Sequence, residues 1–200
     1  MNALHNNLIK KEQKGLSLPE VIIVLLIIAI LVVLALPQIS ASRRLSRFSG
    51  FQRQISTSLN EAKQNALAHK TATTFRYDNA AKRVIIYSGN LGALGSIGNR
   101  TTDFADSGLL PEDVVYGYPP GAAAVLGDGS NITGLSADTV DVTFQADGSV
   151  INTGDGATSK ALYFYDKFGR KQGAFAISIS CADGRMKTWR YSKAVNAYVE

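Results

Sequence analysis

From Val21 to Ser42 the chain has no charged side chain over 22 residues, and Val21 to Leu36 are all apolar. As a helix rising about 1.5 Å per residue, the uncharged run measures about 33 Å, enough to cross a hydrocarbon layer of about 30 Å. It exceeds the apolar core of a secretory signal, usually about 7–15 residues. Ile39-Ser40-Ala41-Ser42 nevertheless offers a weak small-residue cleavage site, and a plain signal anchor is a further alternative. Lys10, Lys11 and Lys14 precede the run, while Arg43, Arg44, Arg47 and Arg53 follow it. The positive-inside rule therefore leaves the orientation open.

One carboxylate, Glu20, sits at the edge of this run. An acid at the centre of a membrane helix costs about 2.5–3.5 kcal/mol on insertion scales, and less near the end. Two readings of it are open. Glu20 is a helix-end acid among the head groups, favoured by the helix dipole. Or cleavage after Gly15 frees an amino group on Leu16, four residues away, and ammonium and carboxylate pair in a low-dielectric setting. Pro19 fits both, because proline is tolerated in a first helical turn.

Lys14-Gly15 followed by Leu16-Ser17-Leu18-Pro19-Glu20 resembles the processing signal of type IV pilins and type II secretion pseudopilins. The resemblance covers residues 10–70. It implies cleavage between Gly15 and Leu16 by a prepilin peptidase, and methylation of the new N-terminus on Leu16. It places the family's assembly glutamate on Glu20. It also implies insertion in the bacterial inner membrane as a single-pass protein, N-terminus cytoplasmic and head periplasmic. Transfer into a pilus or pseudopilus follows, with other pilins packed along the N-terminal helix. The family's helix-bending proline falls on Pro37, which removes a backbone donor and would kink the helix near Val33. Leu16 stands where the family most often has phenylalanine.

The chain has 200 residues, of which 46% are hydrophobic, and a formal charge of +5. Lys10, Lys11, Lys14 and Glu12 lie in the leader, so a mature chain would carry about +3, too little to signal nucleic-acid binding by itself. Cys181 is the single cysteine, which excludes an intrachain disulfide; it is expected to be buried in a strand from Ala174 to Cys181.

Beyond Ser42 the apolar positions Leu45, Phe48, Phe51 or Gln52, Ile55, Leu59, Ala62 and Ala66 recur at steps of three and four, an amphipathic stripe at helical period. Arg43, Arg47, Arg53, Asn60, Lys63 and Gln64 occupy the other face. The helix is expected to end between Ala66 and Lys70. From Thr71 the pattern changes to strands: Thr71 to Tyr77, Arg83 to Tyr87, Asp113 to Tyr118, Thr139 to Phe144, Ala161 to Tyr165, Gly173 to Cys181 and Arg185 to Tyr191. Asp78-Asn79-Ala80-Ala81, Asp147-Gly148 and Asp183-Gly184 are turn signals. Gly89 to Gly108 and Gly117 to Gly134 read as loops. The predicted architecture is α+β, a long N-terminal helix packed on an antiparallel β head. Four segments are expected: a leader over 1–15, a membrane and filament-core helix over 16–42, an amphipathic continuation over 43–70, and a periplasmic head over 71–200.

The head is also similar to the GspH/FimT group of minor pseudopilins and pilins. The similarity rests on Phe144-Gln145-Ala146-Asp147-Gly148, on Leu59 to Ala66 with the first hairpin, and on Ile177 to Ser180 through Gly184-Arg185.

His5 and His69 are the only histidines, so no zinc ligand set and no Ser-His-Asp or Cys-His arrangement can be assembled, and no enzymatic activity or cofactor is expected. Gly154-Asp155-Gly156-Ala157-Thr158-Ser159-Lys160 lacks the spacing of a phosphate loop. Asp128, Asn131 and Asp138 read as a solvated turn rather than a calcium site. One patch stands out: Arg185, Lys187, Arg190 and Lys193 alternate with Trp189 and Tyr191. Cations contact phosphates and aromatics stack on bases. Some FimT-type minor pilins take up DNA through a C-terminal G-R-x-R motif, and the resemblance aligns it with Gly184, Arg185 and Lys187. Lysine in the last position keeps the charge and loses the bidentate fork. The other reading is a solvated strand face with Trp189 in the core. A structural subunit of a secretion pseudopilus or pilus is thus expected, and a DNA-uptake minor pilin is the alternative.

Overall fold

A computed structural model describes residues 17–88, 100–103, 113–122, 125–151, 159–167 and 173–200; for residues 34–42, 44 and 100–103 it describes the backbone alone. Gly15, Leu16, the leader and most of the Gly154 to Lys160 loop lie outside the described residues. The chain forms two compact units, Met1–Arg43 and Arg44–Glu200.

A single helix, α1 (Leu18–His69), begins in the first unit and continues into the second. Its first turn closes with Val21 N–H donating to Ser17 C=O at 3.2 Å. In the first unit every described side chain from Leu18 to Val33 is exposed. Among the described residues no helix is long and apolar enough to cross a membrane. The expected span over 16–42 is therefore not met there: Leu18–Val33 measures only about 24 Å. The backbone stays helical through Pro37.

In the second unit α1 lays one stripe against a β head. Phe48, Phe51, Ile55, Leu59, Ala62 and Ala66 are buried at the predicted spacing. Leu45, counted in that stripe, is instead 48% exposed. Phe48 and Phe51 begin the aromatic core, with Phe48 edge-on to Phe175 at 5.3 Å and Phe51 edge-on to Phe164 at 5.2 Å. Each such side chain contributes about 1.5–3 kcal/mol by leaving water.

Two antiparallel sheets complete the head. The first has the order β3-β2-β1-β5, built from β1 (Thr73–Asp78), β2 (Arg83–Ser88), β3 (Arg100–Asp103) and β5 (Thr139–Phe144). The second has the order β4-β6-β7-β8-β9, built from β4 (Val114–Tyr116), β6 (Ser159–Asp166), β7 (Ala174–Ser180), β8 (Met186–Ser192) and β9 (Ala197–Val199). Alternation decides which residues meet the helix. Phe75, Tyr77, Val84, Ile86, Val140, Val142 and Phe144 from the first sheet join Leu162, Phe164, Phe175, Ile177 and Ile179 from the second in one cluster with α1. On its other face the second sheet buries Ala161, Tyr163, Ala176, Trp189, Tyr191 and Tyr198 in a second cluster with Leu126, against which Ala122 and Ile132 pack. The first sheet carries a cross-strand ion pair on its second face. There Arg76 grips Asp141 with Nε to Oδ1 at 2.7 Å and one Nη to Oδ2 at 2.8 Å.

β3 and β9 correct the expected strand set. β3 lies inside the stretch read as a glycine-rich loop, and β9 follows the last expected strand. Cys181 falls in the turn after β7 and is half-buried, not buried in a strand.

Candidate functional site

The N-terminal end of α1 places Glu20 in the first helical turn. Ser17 precedes the helix and Glu20 is its third residue, the S-x-x-E order of a capping box. Glu20 is exposed, as are Pro19 and the apolar side chains that follow it.

The second place is the turn between β7 and β8. Gly184 has a φ of 61°, in the left-handed region that glycine adopts without strain. A Cβ there would collide with the carbonyl oxygen of Gly148, in the turn after β5. Two turns from two different sheets therefore touch at their glycines. Lys63 of α1 holds the junction, its Nζ donating to the carbonyls of Asp183 at 2.9 Å and Gly184 at 3.0 Å. The sequence placed Lys63 on a solvated face; its partners lie some 120 residues away and leave no local signal.

Arg185 lies in this turn and not in the strand, so it does not alternate with Lys187 and Trp189 as expected. Its side chain is 84% exposed, with Nε 2.8 Å from Asp183 Oδ2, while its backbone N–H donates to Asp183 Oδ1 at 3.1 Å. Hydrogen bonds from the Ser180 hydroxyl and the Arg185 amide hold the Asp183 carboxyl below the usual carboxylate range.

On β8, Lys187, Trp189 and Tyr191 share one face. Lys187 Nζ sits 5.7 Å from the Trp189 ring centroid and 3.2 Å from Glu200 Oε2. Trp189 is only 6% exposed, and its indole N–H donates to Ser178 Oγ at 2.9 Å. It is a core residue, unable to stack on an incoming base. Arg190 is exposed on the opposite face, in register with Phe175. Lys193 is exposed in the turn that leads to β9. The fold thus spreads Arg185, Lys187, Arg190 and Lys193 over a turn, two strand faces and a second turn. It also brings acids to the first two. Asp183 was visible in sequence as a turn residue; Glu200 gave no signal. Among the described residues no three metal-ligating side chains converge, and Asp128 serves the backbone, accepting from Ser130 N–H at 3.0 Å.

The molecule is therefore an α+β protein, one long helix followed by two antiparallel sheets. Residues 10–36 match the prokaryotic N-terminal methylation motif. The chain is similar to crystal structures of the type IV minor pilin FimU from Pseudomonas aeruginosa. For the first, the TM-score is 0.48 and the identity 16%, with 71% of this chain and 87% of FimU covered. For a second crystal form the TM-score is 0.41 at 16% identity, covering 70% and 91%. Among curated proteins none matches.

Proposed function

We propose that the protein is a minor pilin or pseudopilin, a non-enzymatic structural subunit of a type IV pilus or a type II secretion pseudopilus. One observation carries this reading: the methylation motif over residues 10–36 coincides with a helix whose described apolar side chains, Leu18 to Val33, are all exposed. Side chains of that kind must be covered, first by lipid and then by the same helix of neighbouring subunits. Prepilin peptidase cuts between Gly15 and Leu16, the inner membrane holds the subunit with its head in the periplasm, and Leu16 is methylated. The new amino group lies one helical turn before Glu20, which neutralises the N-terminus of an adjacent subunit on assembly. Pro19 and Pro37 shape the helix that enters the filament.

Intact-mass measurement of the protein from its host tests the processing step. The mature chain should begin at Leu16 with one added methyl group, and Gly15→Ala should leave a full-length chain. Normal mature protein from that variant would assign the cut to another peptidase.

A DNA-uptake minor pilin is the second reading, favoured by the exposure of Arg185 and Arg190. The pairing of Arg185 with Asp183 and of Lys187 with Glu200, and the burial of Trp189, count against it. DNA binding by the purified chain across a salt series decides. Binding that falls steeply with salt and disappears in Arg185→Ala, Lys187→Ala supports uptake; no binding at low salt leaves the structural role alone.

A further inference from the structure

The bond proposed for cleavage, between Gly15 and Leu16, lies just ahead of a long helix. α1 begins at Leu18, and its first backbone bond runs from the Val21 N–H to the Ser17 carbonyl at 3.2 Å. Continued backwards, the same i to i−4 pattern would pair Glu20 with Leu16 and Pro19 with Gly15. The last of these bonds cannot form. Proline has no backbone N–H, and in a helix interior its ring clashes with the carbonyl four residues earlier. Four residues before Pro19 is Gly15, whose carbonyl belongs to the proposed scissile bond. A proline one position earlier would act on Lys14 instead, and one position later on Leu16. Ser17 works in the same direction. It precedes α1 and its carbonyl accepts the first helical bond, which is the position of an N-cap. A cap side chain accepts from the N–H two or three residues on; Pro19 has none, which leaves that of Glu20.

We infer that Pro19 and Ser17 are positioning residues for the proposed cleavage, barring α1 from growing back over Gly15 and so keeping the Gly15 carbonyl out of helical hydrogen bonding and open to prepilin peptidase. The inference rests on the proposed processing step and adds what makes its bond accessible. In that step water adds to the Gly15 carbonyl carbon and the bond to the Leu16 nitrogen breaks. Gly15 leaves as a carboxylate, and the nitrogen takes up a proton to become the new amino group. Proteolysis favours backbone that is not tied into regular structure, because a bond inside a helix is reached only after local unwinding. An apolar helix as long as α1 would otherwise propagate into its leader, since each added residue extends an existing nucleus. Ser17 and Pro19 set a stop directly after the bond to be cut.

The test follows the full chain in proteoliposomes with purified prepilin peptidase, the cut being timed by intact mass. Pro19→Ala restores the N–H on a strong helix former and should slow the cut by about three-fold or more. Adding Ser17→Ala, which removes the cap, should bring the loss to about ten-fold. Pro19→Gly restores the N–H without the helix tendency, and Ser17→Asn keeps a cap; both should stay within about two-fold of wild type. The carbon-13 shift of the Gly15 carbonyl, read by nuclear magnetic resonance on the uncut chain in detergent micelles, should move to the helical value in the slowed variants alone. Slowing without that shift, the shift without slowing, or neither in the double variant overturns the inference and leaves the processing step standing. Equal slowing in Pro19→Gly and Ser17→Asn would assign both residues to side-chain recognition by the peptidase and overturn it too. A wild-type chain that is not cut after Gly15 sinks the processing reading itself.

Discussion

At the scale of single residues, the junction of Gly148, Gly184 and Lys63 gives the sharpest expectations. Both glycines have positive φ, 84° at Gly148 and 61° at Gly184. Their surroundings differ. A Cβ on Gly148 would meet the flexible Leu67 side chain at 3.2 Å, while one on Gly184 would strike backbone. Gly184→Ala should therefore cost about 2–3 kcal/mol and Gly148→Ala about 1 kcal/mol, read by thermal unfolding of the purified chain. Equal costs would mean that the turns can slide apart. Asp183 adds a pH dependence of known sign. Its carboxyl is held below the ordinary value of about 3.9 by the Ser180 and Arg185 hydrogen bonds. The stabilisation is complete above that ordinary value and is lost as the pH falls through the lower folded one. Nuclear magnetic resonance of the Arg185 amide should show this acid transition in the wild type and not in Asp183→Asn.

At the scale of elements, the stripe on α1 was legible because burial on a helix repeats at steps of three and four, and Phe48 through Ala66 keep that step. Leu45 obeyed the step and still ended exposed, since spacing says which face a residue takes but not where the head stops. Leu59→Ala should cost about 2–5 kcal/mol, and Leu45→Ala less than about 0.5 kcal/mol; a chemical denaturation curve of each variant separates them. The strands that alternate over five residues or more were all legible. β3 and β9 were not: β3 sits inside a stretch whose glycines read as a loop, and the three residues of β9 are too few to show a period. A signal for β9 did exist in Asn196, a residue type common in hairpin turns, and the structure gives it a φ of 52°. The cationic patch was legible as composition only. The sequence could not show that Arg185 precedes the strand, that Trp189 points inward, or that Glu200 reaches Lys187.

At the scale of the whole molecule, the two ends of α1 do different work. The buried stripe packs on the head, and in the proposed function the exposed apolar turns are the ones that neighbouring subunits cover. Glu20→Ala should leave processing at Gly15 and the stability of the head unchanged while reducing filament incorporation at least ten-fold, measured by shearing and immunoblotting. Normal incorporation would reduce Glu20 to its place in the first turn beside Ser17.

The contact between Gly148 and Gly184 also bears on where the chain can accept extra residues. Hairpin turns at a surface are ordinarily the places where insertions are absorbed. Here one added residue in either turn would push its neighbour and lift both from Lys63, so a change at one sheet would be felt at the other. An epitope tag or fluorophore loop belongs instead at Asn79 to Ala81, between β1 and β2, where Ala80 and Ala81 are exposed.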